Sequence, residues 1–232
     1  MIKKINYDDL GRNQGPTWLN SHFHFSFADY FNPNNINFGQ LRVINDDLVQ
    51  PHTGFTTHPH RDMEIISYVI DGNLSHKDSM GNERTLTRGQ MQYMSAGTGI
   101  LHSELNKGDE VLRFLQIWIF PDEEGYEPNY GDKLFTLEDR QDKLFLAVSN
   151  WQSNAPIKIH QDMNIYISET NKEIDFKVSN KRQAYLVLIE GQASINNHEL
   201  THGDALEIVE EDIKIIPRDK AHFIILEMAK EN

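Results

Sequence analysis

Glu64-Ile65-Ile66-Ser67-Tyr68-Val69-Ile70, closed by Asp71-Gly72, reads as a strand and the turn that ends it. β-Branched and aromatic residues suit a pleated surface, and Asp-Gly suits a tight reversal. Downstream, Asp78-Ser79-Met80-Gly81-Asn82 signals a second turn before the segment around Thr85. Arg88-Gly89 then leads into Gln90-Met91-Gln92-Tyr93-Met94, another strand. Short strands with regular turns predict an antiparallel barrel or sandwich.

Upstream of that strand stands Thr57-His58-Pro59-His60, and beyond the next strands stands Leu101-His102-Ser103-Glu104. Successive strand side chains point to opposite faces, so residues two apart share one. His58 and His60 can therefore converge on one point, and His102 and Glu104 can meet them if their strands are neighbours. Three imidazoles and a carboxylate suit one divalent first-row ion, Fe(II), Mn(II), Ni(II), Cu(II) or Zn(II), and leave positions open for substrate; among these Fe(II) is the expected cofactor. Glu64 also lies an even number of residues from His60, so both glutamates could face inward.

The chain has 11 histidines, and one His-x-His alone is weak evidence. Ser21-His22-Phe23-His24-Phe25-Ser26-Phe27 has the same spacing with Phe alternating. It reads as a half-buried strand, with Phe23, Phe25 and Phe27 packing inward and His22 and His24 facing out.

Gly54, His58, His60, Glu64 and Gly72, followed by Gly89, Gly97, His102 and Asn106, resemble the two motifs of the cupin superfamily. The usual second motif has a Pro before its Gly and a shorter step to its His. Here Ser95-Ala96-Gly97-Thr98-Gly99-Ile100-Leu101-His102 replaces it, and with Thr57-His58-Pro59-His60-Arg61-Asp62-Met63-Glu64 it resembles the pirin family. Further matches are His22 to Tyr30, Leu41 to Asp47 and His160-Gln161-Asp162-Met163. The resemblance implies an all-β bicupin, two jelly-roll β-barrel domains packed in one chain with the metal in the first. It implies metal ligands at His58, His60, His102 and Glu104, leaving Glu64 to orient a ligating imidazole.

A length of 232 residues allows two β domains of ordinary size. The expected division is a metal-binding cupin barrel over 1–123, a connector over 124–145 and a cupin barrel without metal over 146–232. Phe120 to Gly131 is rich in Pro, Gly and acids, as a linker would be, and Phe135 to Arg140 could add a helical turn. The second half alternates at Gln183 to Gly191, Ala193 to Ile195 and Gly203 to Ile208, with Asn196-Asn197 as a turn. His198, His202 and His222 there have no His-x-His pairing, and His160 suits hydrogen bonding better than metal ligation.

There is no Cys, no long apolar run and no cleavable signal at Met1-Ile2-Lys3-Lys4, so a cytoplasmic protein without membrane contact is expected. A net charge of −13 disfavours contact with nucleic-acid phosphates. The pirin resemblance implies a metal-dependent quercetin 2,3-dioxygenase. Its partners would be dioxygen and a small aromatic enol such as a flavonol, with Glu104 as catalytic base and carbon monoxide as a product. Phe55, Met63 and Ile100 are candidates for shaping the pocket. The same family also includes metal- and redox-sensing regulators that bind partner proteins, and a cupin enzyme for another enolic substrate would use the same ligands.

Overall fold

The strand that begins at Glu64 runs to Asp71 in the computed structural model, which describes residues 1–230. Gly72 follows with φ +76°, a left-handed turn conformation that glycine adopts without a Cβ penalty. The chain divides into two compact units, one of Gly11–Leu134 with Ile159–Gln161, the other of Met1–Leu10, Phe135–Lys158 and the residues from Asp162 onward. The architecture is all-β, two jelly-roll units in one chain, and among the described residues no sheet closes on itself.

The first unit has two antiparallel sheets. Seven strands lie side by side in the order Asn129–Leu134, Gln90–Ser95, Glu64–Asp71, Leu112–Ile119, Leu41–Val49, Leu19–Phe23 and Gly11–Arg12. The other four run Thr53–His60, Ile100–Asn106, Leu74–Asp78 and Glu83–Leu86. Both sheets feed one core, in which Val49, Val69, Leu112 and Phe114 of the larger meet Leu74 and Leu86 of the smaller. Strands buried in this way lose their polar alternation: seven of the eight residues from Glu64 to Asp71 are buried.

In the second unit the main path runs Ile2–Ile5, Ala205–Val209, Arg182–Ile195, Ile213–Ala229, Met163–Thr170, Phe145–Asn150 and Ile157–Ile159. The two longest strands pair with register shifts at Leu188/Glu190 and Gly191/Ala193, the bulges that bend a long strand. Gly191 is required there, because at φ +91° a Cβ would fall 1.9 Å from the Lys220 carbonyl oxygen.

The stretch that reads as a linker is in part a strand. Asn129–Leu134 pairs antiparallel with Gln90–Ser95, and as the edge of its sheet it tolerates the polar residues that suggested a loop. The helical turn is present at Leu137–Arg140, where the Thr136 side chain accepts from Asp139 N and the Asp139 carboxylate accepts from Thr136 N. Among the described residues no helix is long and apolar enough to cross a membrane.

Candidate metal centre

Strands Thr53–His60 and Ile100–Asn106 are antiparallel neighbours, with His102 directly opposite His58. A register shift between His102 and Glu104 sets Glu104 across from Phe55. Gly54, at φ +145°, sits against this bulge, since a Cβ there would meet the Glu104 carbonyl oxygen at 2.5 Å. The local sequence thus supplies both the period of two and the glycine that lets the bulge close.

The three imidazoles form a tight triangle, with ring centroids 4.8 Å apart for His58 and His60, 4.5 Å for His58 and His102, and 4.9 Å for His60 and His102. His58 Nδ1 lies 2.7 Å from the Thr56 carbonyl oxygen. A carbonyl only accepts, so Nδ1 carries the hydrogen and Nε2 keeps its lone pair. That lone pair faces His102 Nε2 at 3.1 Å. Burial first, then the neighbouring imidazoles, pushes His60 down to about 4 and His102 down to about 3. At neutral pH both are uncharged, the state in which imidazole binds a metal.

Glu104 is buried without a cation beside it. Its Oε1 accepts from Ser67 Oγ at 2.5 Å and Gln92 Nε2 at 2.6 Å, and its Oε2 accepts from Gln116 Nε2 at 2.5 Å. Three neutral donors orient the carboxylate but leave its negative charge uncompensated in a dry site. Neutral imidazole lone pairs and a buried anion are what a divalent cation needs, so the donor set fits one.

Two groups of donor atoms, each with all members within 4.8 Å of one another, occur among the described residues: His58, His60 and His102, and His76, His102 and Glu104. His102 belongs to both, and the structure brings Glu104 closest to the second. His76 is the residue that the sequence reading missed. It stacks on Tyr130 with centroids 4.4 Å apart and rings 15° from parallel, and its Nε2 lies 3.2 Å from Asp78 Oδ2. Asp78 also accepts from Met80 N, Asn82 N and Asn82 Nδ2. Its burial, which favours the acid, is outweighed by the bonds from Asn82 and His76, so the carboxyl is held below its ordinary range. An ionised Asp78 places the His76 hydrogen on Nε2 and leaves Nδ1 as an acceptor. The Nδ1 atoms of His76 and His102 are both buried without a hydrogen-bond partner, so the bonds that start at Asp78 end at His76, whose ring centroid lies 5.6 Å from that of His102. The signal was His76-Lys77-Asp78, a second spacing of two that ends in the turn.

Glu64 is buried elsewhere, with Oε1 accepting from Ser95 Oγ at 2.6 Å and Oε2 from the backbone N of His160 at 3.3 Å. Neither oxygen orients a ligating imidazole. Burial holds its pKa above the ordinary carboxylate range. The His160 ring stacks on Tyr126 with centroids 3.6 Å apart.

His22 and His24 do not face out: both are buried, as are Phe23 and Phe25. The segment after Phe25 folds back over this strand, where Ser26 N donates to Asn35 O and Asn35 Nδ2 to the His24 carbonyl. Covering the second face buries the histidines too, and burial pushes His24 down to about 4. Neither joins a converging donor group. In the second unit, His222 Nδ1 lies 2.8 Å from Glu190 Oε2, and His202 Nδ1 lies 2.9 Å from the Ile189 carbonyl oxygen.

A cavity of about 390 Å³ opens beside the triangle, lined by His58, His60, Glu104 and Gln116 and walled by Trp18, Phe27, Phe55 and Trp118, with Asn45 and Asp47 on one side. Trp118 meets His60 edge to face at 4.8 Å. Phe55 is a cavity residue as expected, whereas Met63 and Ile100 pack into a core cluster with Ile65, Met94 and Ala96.

Residues 7–119 match the family model described as Pirin, and residues 146–228 match that of the quercetinase C-terminal cupin domain. A protein of Escherichia coli K12 named quercetin 2,3-dioxygenase is 39% identical over 213 residues, 90% of each chain. A pirin-like protein of Caulobacter vibrioides is 38% identical over 233 residues, 99% of this chain and 100% of that one. The crystal structure of the bacterial pirin YhhW from Escherichia coli in complex with nickel(II) matches with a TM-score of 0.93 and 35% identity, covering 100% of both chains. Likeness that runs the length of the chain, in sequence and in fold alike, makes this protein a member of the pirin family of cupins.

Proposed function

We propose that the chain is a metal-dependent dioxygenase that cleaves flavonols such as quercetin, with His58, His60, His102 and Glu104 as ligands of one divalent transition-metal ion. The observation that carries the reading is the pairing of a histidine triangle and a carboxylate without a paired cation with an aromatic-walled cavity of about 390 Å³. The name of the Escherichia coli relative and the nickel(II) in the YhhW complex support the substrate class and the ion class.

A flavonol offers a 3-hydroxyl beside a 4-carbonyl. A divalent ion in this site would supply Lewis acidity to that pair and an electron path toward dioxygen. Glu104 faces the same cavity, and its carboxylate takes the 3-hydroxyl proton, with Gln92, Ser67 and Gln116 keeping it in place. Trp18, Phe27, Phe55 and Trp118 hold the flat rings and exclude water. Consumption of one dioxygen opens the ring to an ester and releases the excised carbon as carbon monoxide.

The test is anaerobic loading with Fe(II), Mn(II), Ni(II), Cu(II) or Zn(II), then admission of oxygen with quercetin loss and carbon monoxide measured together. His58→Ala, His60→Ala and His102→Ala should lose the metal by elemental analysis while keeping the fold. Glu104→Gln should retain more metal than these variants and lose most turnover, and an undiminished rate would remove Glu104 as the base. Metal binding without turnover of any flavonol would sink the dioxygenase reading in favour of metal sensing.

A further inference from the structure

Asp47 has no part in the chemistry above, yet its placement is costly. It lies on strand Leu41–Val49, is 2% exposed, and lines the same cavity as Glu104. Ser21 Oγ donates to its Oδ1, and beside it Asn45 Oδ1 is buried with no hydrogen-bond partner among the described residues. Among the described residues no cation pairs with it, and the neighbouring Asp46 takes Arg113 through Nε at 2.9 Å and Nη2 at 2.7 Å. A buried carboxyl without a paired cation in an apolar-walled cavity is destabilising, and an amide of the same shape would relieve it. Groups kept at such a cost are characteristic of binding sites.

Its surroundings define what it would bind. Asn45 lies two residues earlier, on the same face of the strand and on the same cavity wall. Asn45 stands opposite Gln116 in the ladder, and Gln116 donates to Glu104. A polar strip thus runs from Asp47 through Asn45 and Gln116 to the metal-facing carboxylate, with aromatic side chains around it.

We infer that Asp47, with Asn45 beside it, recognises a phenolic hydroxyl at the far end of the substrate, so that the site selects aromatic enols hydroxylated on the pendant ring over those that lack such a group. The inference rests on the flavonol reading. Burial, opposed by the Ser21 bond and reinforced by the charges of Asp46 and Glu104, pushes the Asp47 carboxyl up to about 7. Around neutral pH it can therefore donate to a phenol oxygen or accept from a phenol hydroxyl. A site built to hydrogen-bond a hydroxyl discriminates strongly against the analogue without one, since the buried polar group is then left without a partner.

Trp18 and Trp118 line the cavity, so quenching of their fluorescence reports binding without turnover. In metal-free protein carrying Trp151→Phe, quercetin, with two pendant-ring hydroxyls, and galangin, with none, are titrated separately. Quercetin should bind at least about tenfold more tightly. Asp47→Leu should remove that preference by weakening quercetin alone, and Asp47→Asn, which retains hydrogen-bonding capacity, should restore part of it. Equal affinities in the parent protein, or equal weakening of both ligands by Asp47→Leu, would overturn the assignment while leaving the flavonol reading standing. Failure of both ligands to quench would sink the assignment and the flavonol reading together.

Discussion

Replacing Asp47 by Asn should stabilise the protein, and increasingly so as pH rises. Folded Asp47 holds its proton up to about 7, whereas an unburied carboxyl releases it near 3.8. Between those values the folded state binds more protons than the unfolded one, so the stability of the parent protein falls as pH rises through the window and is level above it. A gap of about three pH units corresponds to about 4 kcal/mol as an upper bound, and water entering the cavity reduces the expected gain to about 2 kcal/mol. Asn does not titrate, and the altered bond to Ser21 adds only a pH-independent offset. The assay is urea unfolding in EDTA, followed by Trp18 and Trp118 fluorescence in the Trp151→Phe background, at pH values from about 4 to about 8. The quantity of interest is the difference between variant and parent at each pH. Parallel profiles would refute the reasoning, because they would show that folding leaves the Asp47 proton affinity unchanged.

His76→Phe keeps a ring against Tyr130 but removes a donor atom that lies within 4.8 Å of those of His102 and Glu104, and should weaken metal affinity about 10- to 100-fold at unchanged thermal stability; an unaltered dissociation constant would rule out a role for His76 at the metal. Arg140 is buried against Glu169, with Nε and Nη2 on Oε1 at 3.0 and 2.6 Å, so Arg140→Ala should cost about 3–5 kcal/mol in urea unfolding, and a change below about 1 kcal/mol would count against a buried pair. Burial raises the Glu169 pKa, but the bond from Lys220, the charge of His222 and the bond from Arg140 outweigh it and hold Glu169 down to about 2 against an ordinary 4.5. Its contribution is therefore present above about 4.5 and lost as pH falls toward 2, and Glu169→Gln should lack that acid-side decline. Gly54→Ala, forced to φ +145° with its Cβ 2.5 Å from the Glu104 carbonyl oxygen, should displace the bulge and reduce metal retention; full retention would show that the bulge does not position Glu104.

The histidine triangle was legible because it depends on local geometry. A period of two places His58 beside His60, and one antiparallel pairing places His102 opposite His58. The strand at Glu64 and the helical turn at Leu137 were legible for the same reason, each carrying its own stop or cap signal. His76 was not, since its place depends on Leu74–Asp78 lying beside Ile100–Asn106 with His76 opposite Glu104. The donors around Glu104 were hidden in the same way. Ser67, Gln92 and Gln116 interrupt three apolar strands, and only the ladders that set Ser67 opposite both glutamines show them as one network. His22 and His24 were misread because alternation marks one face as exposed only when nothing covers it.

The ladder between Ile2–Ile5 and Ala205–Ile208 has a consequence in time. With synthesis at about 5–20 residues per second, the first strand waits roughly 10–40 s for its partner to leave the ribosome. During that interval the stretch from Gly11 to Leu134 can fold, while Ile2-Lys3-Lys4-Ile5 stays an open edge kept from self-association by its two lysines. A nascent chain stalled near residue 190 should therefore resist protease over most of Gly11 to Leu134 yet be cut near Ile2–Ile5, a strand that finds its place only once Ala205–Ile208 has emerged.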